Sequence, residues 1–385
     1  YHWDLPLALE KDFNGWLGPK DRITGAFGRY ARVCFERFGD RVKHWFTVNE
    51  PYCCAFIGYV AGHHAPGKAP EGVGGAAPEY TCMHNMILAH AEAVRVYRAE
   101  FREAQGGAIG AAVNAEWRQP LRPHSTADLL AARRAMAFTL GWFADPVYFG
   151  DYAPEMREDL GGVLPRFTDE EKSLLRGSCD FFGCNYYTAS YAVSKAVAPG
   201  RFTGDLAATP KEDERWEQNL MDMPIVPWGF TKLLRRIQQR YAPPGGIYIS
   251  ENGCPQDGPR SAELDSKVPN ALVPRPAPRE VTDADGGLSA ETFDDGERVR
   301  FIRAHLAALH GAREGGADVR GYFCWSLLDN YEWSLGYTKR FGIVRVDYRT
   351  QRRTVKSSGR FLAQVAREQG FAAPPKGEEY SGSIF

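Results

Sequence analysis

Two glutamates end apolar, strand-like runs. Glu50 closes His44-Trp45-Phe46-Thr47-Val48-Asn49-Glu50-Pro51, and Glu251 closes Ile247-Tyr248-Ile249-Ser250-Glu251-Asn252-Gly253. A strand that delivers a carboxylate to its C-terminal end and then breaks is how a parallel barrel presents a catalytic acid. Two such carboxylates facing one another are the minimal machinery for cleaving a glycosidic bond. The chain has 48 Asp plus Glu, and most such residues are solvated or form surface ion pairs of little weight. These two stand apart because an apolar strand leads to each, and an ionised carboxylate is costly to bury without partners. Pro51 predicts extended backbone at Glu50, since the right-handed helical region is disfavoured before proline. Asn252-Gly253 predicts a tight turn after Glu251.

The elements that must carry this pair are short apolar runs alternating with longer helical patterns, the signature of βα units and a parallel sheet. Strands are expected over 42–49, 108–114, 180–187, 247–251 and 320–327, and residues 1–3 read as the end of an earlier strand. Helices are expected over about 22–38, 81–104, 126–143, 168–176, 228–241, 294–314 and 356–369. In the second of these, Met83, Ile87, Ala91, Val94 and Tyr97 recur every three or four residues and make one apolar stripe. Segments 191–227 and 254–291 lack periodicity and read as loops. Both follow the C-terminal end of a strand, the face on which barrels build their sites. The fold class is α/β, a (β/α)8 barrel in a single domain over 1–385. A closed barrel needs eight strands, and five with the stub of a sixth are found, so an incomplete barrel is expected.

Bulk properties narrow the function classes. The 385 residues carry 47 basic and 48 acidic side chains, net −1, which gives no reason to expect a nucleic acid or an anionic membrane as partner. No stretch is long and apolar enough to span a bilayer. Eight cysteines include no CxxC pair or His/Cys cluster, so no metal site is expected and the thiols read as mostly reduced. Aromatic residues reach 13%. They serve either a large core or a sugar site, where ring faces stack on pyranose C–H groups.

Five motifs in order resemble those of the family 1 glycoside hydrolases, the β-glucosidases and their relatives. They are Tyr1-His2-Trp3-Asp4-Leu5-Pro6, Thr47-Val48-Asn49-Glu50-Pro51 and Phe182-Gly183-Cys184-Asn185-Tyr186-Tyr187-Thr188. Then come Tyr248-Ile249-Ser250-Glu251-Asn252-Gly253 and Trp325-Ser326-Leu327-Leu328-Asp329-Asn330-Tyr331-Glu332-Trp333, followed by Lys339-Arg340-Phe341-Gly342. The resemblance implies a retaining mechanism on a (β/α)8 barrel, with Glu251 as nucleophile and Glu50 as general acid, then base. It implies that His2 and Trp3 contact the sugar, Asn49 the 2-hydroxyl, and Glu332 and Trp333 the 4- and 6-hydroxyls. Asn185 joins the substrate-binding set, Tyr187 orients Glu251, and Trp325 forms a platform under the ring. No cofactor or metal is implied, and the partner is a small glycoside or oligosaccharide.

Glutamate rather than glutamine at position 50 points to O-glycosides, and Glu332 disfavours a phosphorylated sugar. The implied substrates are neutral β-glucosides, with β-galactosides or β-fucosides as further candidates. A transglycosidase shares every named residue, and a non-catalytic sugar- or partner-binding remnant is the alternative of another class. The family pattern places three strands and a sugar-binding glutamine ahead of His2, so residues 1–385 alone are not expected to form a stable, active enzyme. Residues 62–80 contain no cysteine, where secreted plant relatives commonly carry a disulfide, which points toward a cytoplasmic location or a non-plant enzyme. The aglycone is not legible.

Overall fold

A computed structural model describes residues 1–68, 77–195, 208–256, 294–348 and 350–372. Its centre is a five-stranded parallel sheet of β1 (His44–Asn49), β2 (Ala108–Asn114), β4 (Phe182–Asn185), β7 (Ile247–Glu251) and β8 (Val319–Tyr322), hydrogen-bonded in that order. β2 is buried almost throughout, as expected of a parallel strand covered on both faces. Beyond the free edge of β1 the expected stub docks through its backbone: Asn49 N donates to Tyr1 O at 2.8 Å, and the Tyr1 amino group to Thr47 O at 3.0 Å. The periodicity over 81–104 forms a helix at Pro78–Val96, which continues through a wide turn at Tyr97–Phe101 to Arg102–Gln105. Its predicted stripe is buried, and the helix packs on Lys20–Phe38 and into the main apolar cluster.

Several expectations need correction. The helix predicted over 126–143 is two, Thr126–Phe138 and Leu140–Phe149, broken at Thr139 (φ −102°, ψ −81°). Segment 191–227 is not wholly loop. It holds most of β5 (Ala189–Ser194) and all of β6 (Ala208–Lys211), which form a second sheet with β3 (Trp117–Pro120). Because β3 and β5 follow the ends of β2 and β4, this sheet rises from the C-terminal side of the main one. Most of 254–291 lies outside the described residues. The strand predicted over 320–327 is shorter, but the chain beyond it still borders β7, with Phe323 N bonded to Ile249 O (2.8 Å) and Trp325 N to Asn252 O (3.0 Å).

A short helix at Pro51–Cys53 running into a wider turn at Cys54–Ala61 follows β1 and was not anticipated. Among the described residues no helix is long and apolar enough to cross a membrane, and no group of His, Cys, Asp or Glu could hold a metal ion. All eight cysteines are free.

Candidate active site

Both glutamates emerge at C-terminal strand ends, and local irregularities aim them. Between β4 and β7 the register steps from Cys184↔Ile249 to Asn185↔Glu251, so Ser250 is an extra residue on β7. A bulge of this kind re-aims side chains, and here Ser250 and Glu251 both reach the same centre. β1 shows a similar shift against β2 between Phe46 and Asn49. Glu50 is not extended, as Pro51 had suggested. It is left-handed, at φ 51° and ψ 57°. That region also avoids the clash before proline, but for a non-glycine residue it costs roughly 1–3 kcal/mol. Three bonds hold it there: Glu50 N donates to Ala112 O at 2.9 Å, and Cys53 N and Cys54 N donate to Glu50 O at 3.0 and 3.3 Å.

The tight turn expected at Asn252-Gly253 does not form. The chain instead runs on beside the segment after β8. Asn252 is fully buried, donating to Tyr186 O at 2.7 Å and accepting from Tyr322 Oη at 2.9 Å. Gly253 is needed for space, because a Cβ there would lie 1.8 Å from the Trp325 carbonyl oxygen.

Between the carboxylates runs a chain of amides. Asn49 Nδ2 donates to Glu251 Oε1 at 3.0 Å, and Tyr187 Oη donates to Glu251 Oε2 at 2.7 Å. Asn185 Nδ2 lies 2.9 Å from both Asn49 Oδ1 and Glu50 Oε1, and its own oxygen accepts from Ser250 Oγ at 2.6 Å. Glu251 thus receives the Asn49 amide and the Tyr187 hydroxyl, and Glu50 the Asn185 amide and the Cys53 thiol. Burial pushes both carboxyls above the usual range, and for Glu251 the Glu50 charge adds to this. One proton shared by the pair resolves the repulsion. Asn49 and Tyr187 favour the ionised form of Glu251, while burial and the Glu50 charge push its carboxyl up to about 8. Burial, then the Glu251 and Glu50 charges, also raises Tyr187, which stays a neutral donor.

The remaining predicted residues form a wall beside this pair. His2 Nε2 lies 4.0 Å from Glu50 Oε2, and burial pulls the imidazole down to about 4, so it is neutral near pH 7. The Trp333 ring meets His2 edge-on at 5.2 Å and Trp3 at 5.6 Å, while Trp3 stacks on His64 at 4.2 Å. Trp3 Nε1 is buried with no hydrogen-bond partner among the described residues, a donor that a ligand hydroxyl can satisfy. Trp325 Nε1 donates to Glu332 Oε2 at 3.4 Å. Burial and the Glu50 charge raise the Glu332 carboxyl.

Three neighbours were missed in the sequence. The Cys53 thiol faces Glu50, and Glu116 adds a negative charge to its surroundings. Ser250 steadies Asn185. Only Ser250 carried a usable signal, its place next to Glu251.

Tyr187→Phe tests the electrostatics. Losing the Oη donor destabilises only the ionised form of Glu251 and so raises its pKa. A charge-assisted bond of about 1.5 kcal/mol corresponds to roughly one pKa unit. The acid limb of kcat/KM is expected to move to higher pH by about that much, read from a pH–rate profile. An unmoved limb would remove Tyr187 from this role.

Paired carboxylates at the C-terminal rim of parallel strands, backed by neutral donors and tryptophans, define a site of the glycosidase class. Comparison with known proteins narrows this. The sequence model for Glycosyl hydrolase family 1 matches residues 1–267 and 281–371. The chain belongs to that family, and its five parallel strands are an arc of a (β/α)8 barrel. Beta-glucosidase 4 of Oryza sativa subsp. japonica is 41% identical over 373 residues, 94% of this chain and 70% of the relative. Beta-glucosidase 1B of Phanerodontia chrysosporium is 40% identical over 381 residues, 94% of this chain and 64% of the relative. The crystal structure of a rice Os3BGlu6 β-glucosidase superposes with a TM-score of 0.81 at 36% identity, over 94% of this chain and 74% of that one. A mutant of that rice enzyme has been solved in a covalent complex with Glc.

Proposed function

We propose that this protein hydrolyses neutral β-glucosides with retention of configuration, by double displacement. The observation that carries the reading is the asymmetric hydrogen bonding of the carboxylate pair. Glu251, stabilised as the anion by Asn49 and Tyr187, attacks the anomeric carbon. Glu50 gives its proton to the departing oxygen. Esterification removes the Glu251 charge that held the Glu50 proton in place, so Glu50 ionises and takes a proton from the incoming water. Water then breaks the glycosyl ester, and Glu251 returns as the anion.

In this reading His2, Trp3 and Trp333 line the sugar, and Asn49 and Asn185 hold its 2-hydroxyl edge beside the pair. Trp325 lies beneath the ring, and Glu332 binds the far hydroxyls. The same carboxylate next to Trp325 repels a sugar phosphate. The covalent Glc complex of the rice relative supports the ester intermediate.

The test is trapping with a 2-fluoro glucoside bearing a good leaving group. The electron-poor sugar slows both steps, and the leaving group restores only the first. Mass spectrometry is expected to find one 2-fluoroglucosyl unit on the peptide containing Glu251. Labelling elsewhere, or turnover that gives inverted product, would overturn the reading.

A further inference from the structure

Trp325, Glu332 and Trp333 belong to a segment, 323–342, whose regular structure is a single turn at Trp333–Leu335. Its side chains Leu327, Tyr331 and Tyr337 are about half exposed or more, while Phe341 is buried. Backbone bonds join its two ends, Ile343 N to Ser326 O at 2.8 Å and Asp329 N to Val344 O at 3.1 Å, and a buried charge network lies beneath. Asp329 is buried, and each of its carboxylate oxygens accepts two bonds. Oδ1 takes Lys356 Nζ at 2.9 Å and Gly342 N at 3.0 Å, and Oδ2 takes Arg340 Nη1 at 2.8 Å and Val346 N at 3.3 Å.

Next to it, the fully buried Arg298 guanidinium donates to three carbonyls: Cys254 at 3.1 Å, Gly342 at 2.9 Å and Arg340 at 2.6 Å. Asp295 neutralises it, and Asp295 in turn accepts from Ser358 N at 2.8 Å. Lys356 N bonds Ile343 O at 2.9 Å. The network therefore joins the chain three residues past Glu251, both ends of the 329–342 loop and the start of the helix Ser357–Glu368.

We propose that Lys356, acting through Asp329, is a positioning residue that sets the sugar selectivity of the site by holding Glu332 and Trp333 in place. Lys356 touches no substrate. Its ammonium is held against the cost of burial, which with the Arg298 charge pulls its pKa down to about 8. Replacing a whole buried ion pair by apolar groups is often neutral, whereas removing one partner leaves a buried charge, here one still held by Arg340 and two backbone amides. What an apolar side chain cannot do is fix the carboxylate from which the loop hangs. Released, the loop loses register at Glu332, three residues on, and with it the contacts to the far hydroxyls of the sugar. The nucleophile and acid stay on β7 and after β1.

This inference rests on the proposed glucosidase reading, so the experiment carries a second readout independent of turnover. Lys356→Met and Lys356→Arg are compared with the unaltered chain on 4-nitrophenyl β-glucoside and β-xyloside, which differ by the C6 hydroxymethyl group. Lys356→Met is expected to lower the glucoside-to-xyloside ratio of kcat/KM by about tenfold. The change falls mainly on KM for the glucoside, and Lys356→Arg restores most of the ratio. Hydrogen exchange is expected to quicken at 328–342 and to stay unchanged in β1 and β2. Equal losses on both substrates, an unaltered ratio, or faster exchange spread over the whole sheet would each overturn the proposal. Should the unaltered chain cleave neither glycoside, there is no ratio to compare, and the exchange pattern alone decides whether Lys356 holds the loop.

Discussion

Glu251→Ala is expected to lower turnover of an aryl β-glucoside by roughly 10⁴- to 10⁶-fold, about 5–8 kcal/mol of barrier. The alanine has no lone pair to offer the anomeric carbon, and the Asn49 and Tyr187 donors that steadied the anion lose their acceptor. The vacated space lies on the face from which the nucleophile attacks. A small anion such as azide can enter it, attack there and finish the reaction in one displacement, with Glu50 still supplying the proton. Azide is therefore expected to restore measurable turnover and to yield the glucosyl azide of inverted, α configuration, identified by NMR. Stability is expected to move the other way. Burial and the Glu50 charge raise the Glu251 carboxyl above its unfolded value. At pH values above the folded-state pKa the ionised group therefore lowers stability, and its removal should leave Tm unchanged or higher. A variant with near-normal turnover, or one giving β-azide, would exclude Glu251 as the nucleophile.

The positions of these groups were far more legible in the sequence than the devices that aim them. β2 and β7 occupy the predicted 108–114 and 247–251, because unbroken apolar runs end there at polar residues. The helix Pro227–Tyr241 differs from expectation by one residue, since its apolar stripe is regular and Pro227 suits a first turn. Where two forces competed, the sequence was ambiguous. Proline only excludes the right-handed region at Glu50, and the choice between extended and left-handed backbone is made by bonds to Ala112, Cys53 and Cys54. β6 includes Pro210 and, among the described residues, pairs with β5 alone. Its four residues, Pro210 among them, are too few to show an alternating pattern. The bulge at Ser250 exists only as a register between two strands. Asp295, Arg298, Asp329 and Lys356 read singly as surface charges. Their burial follows from the meeting of three segments distant in sequence.

Replacing the acid is expected to produce an effect that depends on the leaving group. In Glu50→Ala no proton is available for the departing oxygen. An alkyl or disaccharide substrate, whose alkoxide leaves poorly, should be slowed about 10²- to 10⁴-fold in the first step. A 2,4-dinitrophenyl glucoside leaves as a stable anion and needs no proton, so its first step should stay within a few-fold of normal. Its second step lacks a base to activate water, so the glycosyl enzyme accumulates and a burst of dinitrophenolate precedes slow turnover. Azide, which needs no base, is expected to release that intermediate as the β-azide, the opposite anomer from Glu251→Ala. Glu50→Gln separates charge from shape. It retains an oxygen to accept from Asn185 Nδ2, keeps a side chain of the same length at the left-handed position, and still cannot release a proton. The burst should therefore persist in Glu50→Gln. Equal slowing of good and poor leaving groups in the first step would show that Glu50 does not supply the proton. Opposite anomers from the two azide reactions would place each carboxylate on its own face of the sugar, as double displacement requires.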